Sequence, residues 1–451
     1  MPQFRVPELD TFNWQQNVLS QTATPPGSPA KGDRYIVGAS ATGVWATHDD
    51  DIAWCSAAAG PTWAFNTPVE GWTVWDENEG AYYYFDGAGW VVQGNDKPTK
   101  ISTNTTVYVS TTGSDVTGDG TSGNPFATPQ QALTYLNGFY IDSGVTVTIS
   151  LADGYYSLTT TIQCAHPQGK QITIAGTTTY SKTLSSIQSS AGAGGAWTYI
   201  VNLTSVANIA VGDAILIPGS VTGGTRPTHL AGCYIISNVD VPNSRVTFAS
   251  AHKYATASSG AVTGTVTIVK TKITSTASFI ITLNNLQYLG ALEKIVLVGS
   301  GSTAGIRLVG KSQIIVQATT VGISTCTIGA WVSSNSTFIY DGYISDCTTY
   351  CILAEVGSLT SSYASAGVFT GSTYGIRLIF GSTSNHIGAT VSGCTTGHSG
   401  SYTVSGQIWN NIISGCTTGV YCEYGGVFVT TTNTYSDNGA NETAGTGGTI
   451  I

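Results

Sequence analysis

The second half of the chain repeats an apolar pattern. Aligning "ISTC", "ISDC", "VFTGS", "VSGC", "ISGC" and "YSDN" places Cys326, Cys347, Ser372, Cys394, Cys416 and Asn438 in one register, with steps of 21, 25, 22, 22 and 22 residues. A period near 22 without a helical component means one β-coil per repeat, each needing its neighbours to bury its apolar side. The expected architecture is a parallel β-helix.

The register extends residue by residue. Gly305, Gly329, Cys351, Gly375 and Gly419 align. Ile306, Ala330, Ile352, Ile376 and Val420 follow, and Leu308, Val332, Ala354, Leu378 and Cys422 form a second apolar column. Both columns should point inward, and the mixed column between them (Arg307, Trp331, Leu353, Arg377, Tyr421) should point outward. The coil starting at Cys394 is irregular, with His398 and Gly400 at the inward places.

Upstream, "VYVSTTGSDVTGDGTSGNPFATPQQALTYLNG" reads as a strand, a turn-rich loop and one short helix. Thr128 is the N-cap, Pro129 takes the first helical position, Gln131 completes a capping box and Gly138 stops the helix. Such a helix suits the capped end of a solenoid. From 198 to 270, strand-turn-strand units around Gly212-Asp213 and Pro242-Asn243 suggest an inserted small β-barrel. Before residue 95, seven of the ten tryptophans lie among short aromatic runs and Gly/Asp turns, the pattern of a small antiparallel β domain. The reading is therefore all-β: an N-terminal β domain over 1–95, a linker over 96–106, a cap and first coils over 107–197, a barrel over 198–270 and a parallel β-helix over 271–451.

Composition supports strands and turns over helices, since only 9% of residues are charged and 55 are glycine. A formal net charge of -9 gives no electrostatic footprint for nucleic acid. No apolar run approaches 18 residues, and the opening stretch lacks a basic segment followed by an apolar core, so neither membrane insertion nor Sec export is expected.

The nine cysteines invite a chemical reading, but a ladder projects its thiols in parallel, whereas zinc needs ligands converging tetrahedrally. Buried packing is the expected role, with no metal and no cofactor. Carboxylates for glycoside hydrolysis are sparse. Asp341 and Asp346 share a coil but have turn composition, while Glu355 and Glu423 share an outward position three coils apart. These four are weak catalytic candidates, and Asp115 and Asp119 in "GSDVTGDGT" read as turn residues rather than a calcium loop. The stronger signal is aromatic. Trp331, Tyr343, Tyr350, Tyr374, Trp409, Tyr421 and Tyr424, with Arg307 and Arg377, are expected outside, where they suit either sugar rings or a subunit interface.

The chain resembles bacteriophage tail fibre and tailspike proteins. Residues 1–95 are similar to an uncharacterised domain that opens phage and gene-transfer-agent tail proteins, through "PPGSPAKGDRYIVG", "ATGVWATHDDDIA" and "EGWTVWDENEGAYYYFDGAGWV". Residues 107–451 resemble pectin-lyase-like right-handed β-helices, through "VYVSTTGSD" and "GDGTSGNPFATPQQAL". The resemblance implies a right-handed helix, a homotrimer, docking on baseplate or tail proteins through residues 1–95, and an exterior that recognises host surface polysaccharide. It also implies synthesis in the cytoplasm of a bacterial host and a place in the virion tail. Some members cleave the glycan as hydrolases or lyases. Their catalytic carboxylates match no motif here, and a site assembled between chains stays open. The alternatives are a depolymerase tailspike and a purely structural baseplate component.

Overall fold

A computed structural model describes residues 15–57, 61–93, 99–191, 197–223, 230–250, 261–299, 304–316, 319–362 and 367–451. It divides into two compact units, 1–98 and 99–451. In the first, a four-stranded sheet (Ser20–Thr22, Arg34–Val37, Ile52–Ala57, Thr62–Asn66) and a three-stranded one (Thr73–Asp76, Ala81–Phe85, Trp90–Gln93) are held by two small cores. Trp45, fully buried, meets Trp63 edge to face at 4.8 Å.

The second unit is a parallel β-solenoid. The rungs line up into two nine-stranded sheets and one eight-stranded sheet. One nine-stranded sheet runs from Gly154–Leu158 to Thr434–Ser436 and carries the inserted barrel. The other, here the open sheet, runs from Ile162–Gln163 to Ala440–Ala444. The third runs from Tyr288–Leu289 to Thr449–Ile450. Strand pairing reproduces the columns read from the sequence: Ile306, Ala330, Ile352, Ile376, His398 and Val420 are successive partners. All six are buried, the five apolar ones in one continuous core. The irregular coil keeps register because His398 takes the inward place itself.

The cysteine column is packing. Cys326, Cys347, Cys394 and Cys416 are buried and unpaired, and each thiol donates to the carbonyl oxygen two residues before it, on Ser324, Ser345, Ser392 and Ser414. Asn438 ends the column by accepting from the Cys416 N–H at 2.9 Å and donating to Ile413 O. Burial pushes the Cys326 and Cys351 thiols well above their ordinary value, so they stay protonated.

Three expectations change. The linker is shorter than 96–106, because Thr99–Ile101 already pairs in parallel with Phe139–Ile141 and Ile101 packs on the solenoid core. The helix Pro129–Leu136 is capped by Thr128, which accepts from Gln131 N–H. The Thr128 N–H, however, goes to Asp115 at 2.9 Å rather than to the Gln131 side chain. Asp115 also accepts from Ala127 N–H and Thr128 Oγ1, so it is a capping residue from 13 positions upstream. The barrel begins at Thr179, not at 198. Thr179–Ala191 pairs with both Trp197–Leu203 and Ala261–Val269, closing an antiparallel sheet around Tyr199, Tyr234 and Phe248. Among the described residues, no helix is long and apolar enough to cross a membrane.

Candidate functional site

The barrel occupies one face of the solenoid. Its Ala214, Leu216, Ala231, Cys233 and Val269 pack on Val296, Tyr343 and Val368. Ser345 Oγ accepts from Cys233 N–H at 2.9 Å and donates to Cys233 O at 2.7 Å, while Thr370 Oγ1 donates to Ala231 O. Gly322 lies so close that a Cβ there would sit 2.5 Å from Cys233 Sγ. Two candidates are absorbed here. Tyr343, expected outside, is buried under the barrel, and Asp346 accepts from Ser250 Oγ of the barrel at 2.7 Å. Asp341 is fully buried.

The open sheet is different. Its outward column contains Arg307, Trp331, Leu353, Arg377, Ser399 and Tyr421 in register. At one end Arg307 lies against both Phe279 and Trp331, 4.9 and 5.4 Å from their ring centroids, in the corner made by two tilted rings whose own centroids are 6.4 Å apart, and Trp331 Nε1 donates to Glu355 Oε1 at 2.8 Å. At the other, Arg377 lies over Tyr374 (5.3 Å), which stacks on Tyr350. Its two Nη groups donate to Ser399 Oγ and Ser401 Oγ. Ser401 donates to Glu423 Oε1 at 2.9 Å, and Tyr421 donates to Glu423 Oε2 at 2.7 Å. The Glu423 carboxylate pushes the Tyr421 hydroxyl above the ordinary phenol value.

Beyond this column the chain turns a corner through two consecutive left-handed residues on seven successive rungs. The first is Asn285, Gly310, Ser334, Val356, Phe380, Tyr402 or Tyr424. Their partners, among them Lys311, Asn335, Gly357, Gly381 and Thr403, donate N–H to the first residue's carbonyl on the next rung, at 3.0 to 3.2 Å. The backbone ladder therefore continues around the corner, and side chains there must stack at the rung spacing. Phe380, Tyr402 and Tyr424 do so, with ring centroids 5.1 and 5.3 Å apart. They remain 54%, 47% and 51% exposed. A bulky residue in this backbone region costs on the order of 1–3 kcal/mol, and Gly or Asn would relieve it. Stacking at best offsets that cost, so three such exposed rings in succession gain little net stability from one another.

The structure thus brings together Arg307, Trp331, Tyr374, Arg377 and Tyr421 on one sheet, with Tyr424 at its edge. Trp409 is elsewhere: it pairs with Ile387 and Thr431 on the third sheet. Phe380 and Tyr402 were missed, although counting back 22 residues twice from Tyr424 finds both. Glu355 and Glu423 share a position three rungs apart, about 14 Å at about 4.8 Å per rung. That exceeds the roughly 5–9.5 Å of a glycosidase carboxylate pair. Among the described residues, no three His, Cys, Asp or Glu side chains cluster to hold a metal.

Residues 8–91 match a family described only as a protein of unknown function, DUF2793. No curated protein matches the chain. Among solved structures it is similar to the Gp54 tailspike of Acinetobacter baumannii bacteriophage AP22, solved in complex with A. baumannii capsular saccharide, with 8% identity and a TM-score of 0.19. The match covers 78% of this chain and 64% of that one, so it spans less than two thirds of that tailspike.

Proposed function

We propose that this protein is a phage tail fibre or tailspike whose open sheet recognises a host-surface glycan, with residues 1–95 docking on the tail and three chains assembling. The observation that carries the reading is the exposed ridge of Phe380, Tyr402 and Tyr424, kept at backbone positions that disfavour them. Aromatic rings and tyrosine hydroxyls offer amphipathic contact to the mixed apolar and hydroxylated surface of a sugar. Beside them lie the hydrogen-bonding Arg377, Ser401 and Glu423. Each contact is weak, and three chains on one polysaccharide multiply them into avidity.

The test is binding of the fluorescently labelled full chain to a panel of encapsulated bacteria and their capsule-deficient mutants. The expected result is binding to at least one encapsulated strain that disappears with its capsule and falls at least tenfold in the Phe380→Ala, Tyr402→Asn, Tyr424→Asn variant. Binding to none, or binding indifferent to the capsule, overturns the reading.

A further inference from the structure

Arg307 and Arg377 are the only Arg or Lys residues in the described strands of the open sheet, and its one histidine, His398, faces the core. They occupy the same outward column, three rungs apart. Their surroundings differ. Arg377 gives one Nη to Ser399, its direct partner on the next rung, and the other to Ser401, two residues further along that strand. Among the described residues the Arg307 side chain makes no hydrogen bond and no ion pair, and its Nε is buried without a partner. A buried donor left unmade is costly, and a protein seeking only stability would place a serine or carboxylate beside it, as it does for Arg377.

Two rings hold the Arg307 guanidinium in place, and one of them, Trp331, is itself fixed by Glu355. Around them lie Ile328 and Leu353, buried although they face outward. A guanidinium held in the corner of two tilted rings, with its Nε buried, has only its two Nη groups left to offer, loses little freedom on binding, and matches a planar carboxylate with two parallel N–H donors. With one cation on this end of the sheet, a singly charged carboxylate is better matched than a doubly charged phosphate. We infer that the glycan recognised on the open sheet is acidic, and that Arg307, held against Phe279 and Trp331, receives the carboxylate of a uronic-type sugar. This rests on the glycan-binding reading above and adds the class of sugar.

The test uses ligand-observed saturation-transfer NMR on the full chain with sodium glucuronate, glucose and glucose 6-phosphate at matched ionic strength. Glucuronate is expected to bind at least tenfold more tightly than glucose and than glucose 6-phosphate. That preference should vanish in Arg307→Met, which keeps an apolar stem against the two rings, and weaken in Arg307→Lys, which keeps the charge without the fork and guards against a misfolded Met variant. Equal binding of glucose and glucuronate overturns the acidic assignment while leaving a sugar site in place. A preference that survives both substitutions overturns the role of Arg307, stronger binding of glucose 6-phosphate overturns the choice of carboxylate, and no saturable binding by any sugar overturns the inference outright. Whether a polysaccharide is the partner at all is decided separately, by the capsule-dependent cell binding.

Discussion

The two nine-stranded sheets share one core and differ in what covers them. Under the barrel, the outward Val296, Tyr343 and Val368 are packed against barrel side chains, and Ser345, Thr370 and Asp346 each spend polar atoms on barrel groups. On the open sheet the outward residues are large, one guanidinium is unsatisfied, and three aromatic side chains sit in strained backbone. The same repeat builds both. The barrel-bearing sheet also leaves the Ser392 and Ser414 hydroxyls buried without partners, in the column of Ser345 and Thr370, so what separates the two faces is the barrel that covers one of them.

Substitutions at matched outward places should separate these two kinds of face. The largest effect is expected at the covered face, where Val368→Asp buries an unpaired carboxylate between barrel and solenoid and should cost about 4 kcal/mol. Chemical denaturation followed by barrel-specific hydrogen exchange would register it. A loss below about 1 kcal/mol would mean that the barrel contact is not a sealed one.

The next effect comes from the core behind both faces. His386 and His398 are fully buried with ring centroids 5.9 Å apart, and burial holds His386 well below its usual value and His398 at about 4. A histidine whose folded pKa is depressed contributes nothing adverse above the unfolded value near 6.5. As pH falls from there toward about 4, the unfolded chain binds the proton first and stability drops. For His398 alone the loss is about 3 kcal/mol, at about 1.4 kcal/mol per unit. Melting temperature measured from pH 7.5 to 4.5 should fall in the parent and fall less in His398→Val, which restores the aliphatic column of Ile376 and Val420. Parallel curves would show that other groups govern acid stability.

The smallest effect on stability is expected on the open side. Tyr402→Asn gives up ring stacking of about 0.5–1.5 kcal/mol but relieves a comparable backbone cost, so the net change should stay within about 1 kcal/mol. Glycan binding should nevertheless fall at least tenfold. A large stability loss with binding unchanged would place the ridge with the packed face instead.

Much of this was legible in the sequence. The 22-residue period gave the solenoid, the inward columns and the burial of Cys416 and Cys422, because strand alternation and inter-rung pairing are local rules repeated many times. The carboxylates were also read soundly in one respect, since Glu355 and Glu423 do share a column at a distance. Other features depended on contacts that no period encodes. Tyr343 looked like an outward aromatic and is one, but the barrel lies on it. Trp409 alternates outward on a different sheet, which sequence spacing within one coil does not distinguish. The first barrel strand, Thr179–Ala191, is rich in Ser and Thr and carries little apolar signal, so the boundary was set too late. Asp115 caps a helix from another part of the loop, a role visible only once the loop is folded.

The closure of the barrel has a consequence for the register of the solenoid. Thr179 and Val269, where the chain leaves and rejoins the solenoid, are direct partners in an antiparallel pair, and Gly154–Leu158 before the detour stacks directly on Thr271–Ser275 after it. The barrel is thus a cassette spliced between neighbouring rungs. Because the strands on either side of the detour already stack on each other, the rung register does not depend on the length of chain inserted between them.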